Sequence, residues 1–163
     1  MTNTTLDAAL VTRLTVEAFL AEYMHALDSD RLEAWYSFFV EDGSYRVTTR
    51  ENHDLGLPLS LMNCSGHGMF KDRITALRTA NIFEPHVYCH IQGALRITSI
   101  KGDVVESEST FSVIRTMQEG DMSLFACGRT FDRIRLGADG PKLMDRTVIL
   151  DSKQIETLLV IPI

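Results

Sequence analysis

The apolar residues of this chain change their period partway along it. Up to Asn81 they recur at three- and four-residue spacing, and from His86 onward they recur at every second position. Side chains return to one face of a helix every 3.6 residues and to one face of a strand every two. A chain that makes this switch once, with its helical half first, packs helices against one sheet. The segregated order excludes alternating βαβ units and predicts an α+β fold.

The helical half reads in detail. Val16, Phe19, Leu20, Tyr23, Met24 and Leu27 form a single apolar stripe. Asp28-Ser29-Asp30 breaks it and can cap a second helix through Arg31–Phe39. Glu41-Asp42-Gly43 is a turn, and Ser44–Thr49 a short strand. Arg50–Leu61 holds Asn52, Gly56 and Pro58 and predicts a long surface loop, a kind of segment that often serves function. A third helix is expected over Gly68–Asn81, its stripe made by Phe70, Ile74 and Leu77.

In the second half, Val87, Cys89, Ile91, Leu95 and Ile97 alternate with Tyr88, His90, Gln92, Arg96 and Thr98, the pattern of a half-buried strand. Turns at Lys101-Gly102-Asp103, Glu119-Gly120-Asp121 and Ala138-Asp139-Gly140-Pro141 separate further strands. Short turns between long strands predict an antiparallel meander, curved around the helices as a cone within one domain spanning residues 1–163. The last strand is expected over Ile155–Pro162. There Leu159, Ile161 and Ile163 fall on one face and Leu158 and Val160 on the other. A strand apolar on both faces is covered on both. Leu158, Leu159, Val160 and Ile161 are therefore candidate contacts with another polypeptide.

Charge and cysteines narrow the partners. The net charge of −6 argues against nucleic acid, whose phosphates call for a basic surface. The apolar run Leu158–Ile163 is far too short to span a bilayer. Met1–Asp7 lacks the basic-then-apolar pattern of a signal peptide. Cys64, Cys89 and Cys127 are odd in number and widely spaced, which predicts free thiols in a reducing cytoplasm.

Catalytic constellations are sparse. His86 and His90 lie four residues apart on a strand, about 13 Å, too far for one metal ion to bridge. A Rieske cluster needs two Cys and two His, and Cys64-Ser-Gly-His67 supplies only half of such a set. His53, Asp54 and His67 do not form a compact facial triad for non-haem iron. Gly-x-Ser-x-Gly, Gly-x-Gly-x-x-Gly and Walker A patterns do not occur. Tyr23, Asp28, Tyr36, Tyr45 and His86 could line the mouth of a cone, as in ketosteroid isomerase, where an Asp base works with an oxyanion hole of Tyr and protonated Asp. Tyr23, however, belongs to the helical stripe and Asp28 to a helix end. Arg129, Arg133, Arg135 and Arg146 concentrate charge on the late strands, either as a solvated face or as a site for an acidic partner. A free-standing isomerase or dehydratase, or a small-ligand binding protein, stays open as a second reading.

Three segments carry a family resemblance: Ala34-Trp-Tyr-Ser-Phe-Phe-Val-Glu-Asp42, Leu143-Met-Asp-Arg-Thr-Val-Ile-Leu150 and Thr157-Leu-Leu-Val-Ile-Pro162. With the order of elements around them, the chain resembles the small, or beta, subunit of bacterial Rieske-type aromatic-ring-hydroxylating oxygenases, of the salicylate 5-hydroxylase and anthranilate dioxygenase types. The resemblance implies a cystatin-like cone of the nuclear-transport-factor-2 (NTF2-like) superfamily. It implies a cytoplasmic, non-catalytic subunit with no catalytic, cofactor-binding or metal-binding residue of its own. The Rieske [2Fe-2S] cluster and mononuclear Fe(II) would sit in a large alpha subunit. NAD(P)H would supply electrons through separate components, and this chain would trimerise within an alpha-3 beta-3 hexamer that oxidises a monocyclic aromatic carboxylate.

Overall fold

The computed structural model describes residues 3–155 and 159–163. Helix α1, Asn3–Asp28, buries Val16, Leu20, Tyr23 and Leu27, the stripe expected from their spacing. Its first half carries an exposed apolar row of Leu10, Val11 and Leu14. The helix stops where Asp30 turns left-handed, at φ 57°. The Asp30 N–H then reaches the Leu27 carbonyl at 3.1 Å and the Arg31 N–H the Ala26 carbonyl at 2.9 Å. This pairing satisfies carbonyls that the helix end would otherwise orphan. A 3-10 helix, Leu32–Phe38, follows and buries Leu32 and Trp35.

Strand β1, Phe39–Thr49, leads into the expected loop, which is more ordered than its composition suggests. A short helix α2, Arg50–Asp54, starts there because the Thr49 hydroxyl accepts the Asn52 N–H at 3.2 Å. Strand β2, Met62–Ser65, pairs with β1. Four residues are too few to show a period, so this strand is not legible in the sequence. Helix α3, Gly66–Thr79, buries Phe70, Ile74 and Leu77 as expected. The long strands are β3, His86–Lys101; β4, Val104–Met117; β5, Met122–Gly137; and β6, Gly140–Leu150.

The six strands form one sheet in the order β2-β1-β6-β5-β4-β3. The meander holds from β3 to β6. The sheet as a whole is mixed, because β1 lies parallel to β6, from Ser44 opposite Asp145 to Thr49 opposite Leu150. A parallel neighbour needs a long crossover, and here everything from α2 to β5 supplies it. The core fills the space between helices and sheet. Trp35 sits at its centre, with ring centroids 4.6 Å from Phe70 and 5.0 Å from Tyr45. Offset and edge-on aromatic contacts of this kind add to burial alone.

Strand β3 departs from its predicted orientation. Cys89 is exposed, as are Val87 and Ile91 at 62% and 46%, while Tyr88 and Leu95 are buried. Opposite β4, the register slips by one residue between Gln92 and Leu95. The extra residue is a bulge, which turns the side chains after it to the other face. Gly93 lies within it, where a Cβ would stand 2.1 Å from the Thr110 hydroxyl oxygen. His86, Tyr88 and His90 therefore share the inner face with Leu95 and Ile97, and the early apolar residues point away from the helices.

The expected final strand does not form among the described residues. Residues 159–163 make no sheet pairing, yet Leu159, Val160 and Ile163 are buried and Ile161 is half-buried. Their backbone partners are side chains rather than a neighbouring strand. Arg73 of α3 donates to the Leu159 and Val160 carbonyls. The Tyr45 hydroxyl donates to the Ile163 carbonyl at 2.7 Å and accepts the Ile163 N–H at 2.9 Å. The segment is apolar on both sides because it is sunk into this chain's own core. Of the four candidate partner contacts, Leu159 and Val160 are spent inside the chain, Ile161 is partly accessible and Leu158 lies outside the described residues. Leu159→Asp should lower the unfolding free energy of the isolated chain by about 3 kcal/mol or more, through lost packing and a buried charge. Urea unfolding measures this; unchanged stability with failed assembly would instead place Leu159 at a partner.

Candidate functional site

Two polar groupings lie inside the cone. The deeper one begins with Arg146 on β6 and Asp132 on β5, neighbours across the two strands. Both are buried, and one guanidinium nitrogen contacts the two carboxylate oxygens at 3.1 and 3.0 Å. The Thr130 hydroxyl adds a longer contact to Asp132 at 3.4 Å and lies 2.8 Å from that of Ser109. The Arg146 guanidinium also lies 4.6 Å from the Tyr23 ring centre, a cation–π contact. The Tyr23 hydroxyl accepts the Trp35 indole N–H at 2.9 Å. Burial pushes the Tyr23 phenol up to about 12, against the pull of Arg146. Tyr45 is raised as well, chiefly by burial. Both phenols stay protonated at neutral pH, so neither is primed as a base. Burial also raises the Asp132 carboxyl, while Arg146 pulls it back.

The second grouping is closer to the surface, where the ends of α1 and α3 meet the start of β3. Asp28, the last residue of α1, accepts the His90 backbone N–H at 3.0 Å, and its other oxygen lies 2.6 Å from His90 Nδ1. The carboxylate thus clamps the strand to the helix and fixes the imidazole. His86 Nδ1 lies 2.7 Å from the Glu84 carbonyl. A carbonyl can only accept, so that nitrogen carries the hydrogen. Tyr88 stands between the two histidines, with ring centroids 4.8 Å from His86 and 6.1 Å from His90. Burial raises its phenol, so it remains a hydroxyl. A cavity of about 320 Å³ opens beside His86 and Tyr88.

Of the five residues considered for a cone mouth, only Asp28 and His86 reach this cavity. Tyr23 and Tyr45 are sealed in the core, and Tyr36 packs against His67 with Lys71 over its ring at 4.4 Å. Tyr88 and His90 also belong to the grouping, although the sequence offers His90 only as a metal partner for His86, and Tyr88 for no role. The repeat of polar aromatic side chains at His86, Tyr88 and His90 is visible there, but the bulge that turns it inward is not.

The metal-type residues are scattered. Cys64 is buried, and burial raises its thiol. His67 Nε2 lies 3.0 Å from the Phe39 carbonyl, so it is a donor there. His53 stacks on Phe131 at 5.9 Å, beside Asp54. Among the described residues no group of three or more His, Cys, Asp or Glu is placed to hold a metal ion. Cys89 is exposed and Cys127 half-buried, and all three cysteines are free thiols. The arginines divide between faces. Arg129 and Arg133 point outward and pair with Glu108 at 3.3 Å and Asp145 at 2.7 Å, whereas Arg146 turns inward. No helix among the described residues is long and apolar enough to cross a membrane.

Besides the row on α1, the face of the sheet turned away from the helices carries exposed apolar side chains. Val87, Cys89 and Ile91 of β3 continue across Ile114 of β4 to Leu124 and Met122 of β5, which are 65% and 73% exposed.

Helices packed into a curved, unclosed mixed sheet, with a self-contained polar core, define an NTF2-like cone. The chain belongs to the family of ring-hydroxylating beta subunits, whose model matches residues 23–157. It is 36% identical to the anthranilate 1,2-dioxygenase small subunit of Burkholderia cepacia over 86% of this chain and 88% of the relative. It is 35% identical to terephthalate 1,2-dioxygenase terminal oxygenase component subunit beta 2 of a Comamonas species, over 94% of this chain and all of the relative. A crystal structure described as the beta subunit of an aromatic-ring-hydroxylating dioxygenase from Novosphingobium aromaticivorans superposes with a TM-score of 0.87 at 38% identity, covering 96% of this chain and 99% of that one. The chain is thus a component of an oxygenase system.

Removing one partner of a buried ion pair strands the other charge. Asp132→Ala should therefore destabilise the fold by about 3–5 kcal/mol, seen as a lower urea midpoint. The double variant Asp132→Leu with Arg146→Met should recover most of that loss, because no buried charge then remains unpaired.

Proposed function

We propose that this chain is the non-catalytic structural subunit of a Rieske-type non-haem iron oxygenase that hydroxylates a monocyclic aromatic carboxylate such as salicylate or anthranilate. The observation that carries this reading is the match, over nearly all of both chains, to small subunits of dioxygenases named for anthranilate and terephthalate. Both names denote benzene rings bearing carboxylates. A large alpha subunit is the partner, and it holds the [2Fe-2S] cluster and mononuclear Fe(II), with electrons from NAD(P)H arriving through separate components. This chain's own cysteines do not suit such a cluster: Cys64 is buried in the core, whereas Cys89 is exposed on the outer sheet face.

The role of the chain is then to lend stability and placement. A partner that binds only the folded form stabilises it by mass action, and the effect is reciprocal. Three copies of each subunit form the working assembly. The apolar row Val87, Ile91, Leu124 on the outer sheet face is the docking surface for the large subunit, since water-exposed apolar side chains gathered in one patch gain most from being covered. Among the described residues of the tail candidates, half-buried Ile161 is the one available to a partner.

Co-expression with the large subunit, light scattering on the purified complex and iron analysis of the separated chains test this. An equimolar hexamer with all iron in the large chain is expected. Turnover by this chain alone, or stoichiometric iron in it, overturns the proposal. Val87→Glu with Leu124→Glu should leave the isolated chain folded by circular dichroism yet reduce complex yield at least tenfold. Undiminished yield would move the docking surface elsewhere.

A further inference from the structure

The cavity at the end of α1 has features that a purely supporting subunit does not require. Its walls are mainly apolar: Leu27, Leu77, Phe83 and Ile161. Five polar or charged residues interrupt them, Asp28, Asp30, Arg78, His86 and Tyr88, and two of these have a buried atom without a hydrogen-bond partner among the described residues: His86 Nε2 and the Tyr88 hydroxyl. Tyr88 itself is only 5% exposed. Buried polar atoms normally find partners, and an exception calls for a specific occupant. At about 320 Å³ the space falls at the lower end of small-molecule sites.

The chemistry of the two atoms defines that occupant. His86 spends its Nδ1 hydrogen on the Glu84 carbonyl, so Nε2 of the neutral ring offers a lone pair and asks for a donor. Tyr88 keeps its hydrogen and offers a donor. A hydroxyl group supplies both complements at once, donating to the imidazole and accepting from the phenol. The charged wall residues are already committed. Asp28 is held by His90, and Arg78 binds Asp30 at 3.0 Å and Glu33 at 2.7 Å. A charged ligand would meet no unpaired counter-ion, whereas a neutral one gives up little solvation on entry. Phe83, His86 and Tyr88 add flat faces to the aliphatic walls.

We infer that this cavity is a binding site for a small neutral ring bearing a hydroxyl group, of which phenol is the simplest member. The site belongs to this chain alone and is independent of any oxidation performed by a partner. Its ligand differs in charge from an aromatic carboxylate, so the two are separable in one experiment. Asp28 is a positioning residue: by clamping His90 to α1 it holds the start of β3, and with it His86 and Tyr88, against the cavity.

The test is a titration of the purified full-length chain with phenol, toluene and benzoate, followed by protein amide chemical shifts. Phenol should saturate with Kd below about 1 mM, within reach for a ligand of its size. Toluene has the same shape without the hydroxyl and should bind at least tenfold more weakly. Benzoate, ionised at neutral pH, should also bind at least tenfold more weakly. Tyr88→Phe and His86→Phe should each cost phenol about five- to tenfold in affinity and leave toluene unchanged, with circular dichroism confirming the fold. No saturation by phenol, equal affinity for toluene or benzoate, or wild-type phenol affinity in both folded variants overturns the assignment. If a variant fails to fold, the ratio of phenol to toluene affinity on the native chain decides.

Discussion

The pairing of Arg146 with Asp132 governs the rest of the cone. Both charges are buried, and neither can be left alone there without a cost comparable to much of a domain's stability. They stand opposite each other in the ladder between β5 and β6. A slip of β6 by one residue would carry Arg146 to the solvent face and bring Asp145, now outside, toward the core, leaving Asp132 buried without its counter-charge. The ion pair therefore specifies the register. Its guanidinium also offers a cationic face to Tyr23, which orients α1, and Tyr23 in turn receives the Trp35 indole. A helix, a 3-10 turn and two strands are thus located by one buried charge.

The other organising feature is the bulge at Gly93. Before it, β3 turns polar aromatic side chains inward and apolar ones out; after it, Leu95 and Ile97 face the core. This inversion produces both surfaces of interest. It places His86 and Tyr88 on a cavity wall, and it leaves Val87 and Ile91 in an exposed apolar row.

The C-terminal segment shows how an apolar run can mislead. Its composition matches a covered strand, and it is covered, though by its own chain. Arg73 and the Tyr45 hydroxyl take the backbone partners that a neighbouring strand would have supplied. Those side chains come from residues more than eighty positions away in the sequence, so no local reading could connect them.

The α+β class, the stripes of α1 and α3, the hairpin turns and the family are all legible in the order of residues, because they rest on periodicity, turn chemistry and residue identity along short stretches. Folding in three dimensions was needed to settle the parallel β1–β6 pairing, the inward turn of His86, Tyr88 and His90, and the burial of Arg146 beside outward-facing Arg129 and Arg133. Each depends on which distant segment lies alongside, and a single extra residue in one strand reverses the face on which the side chains after it lie.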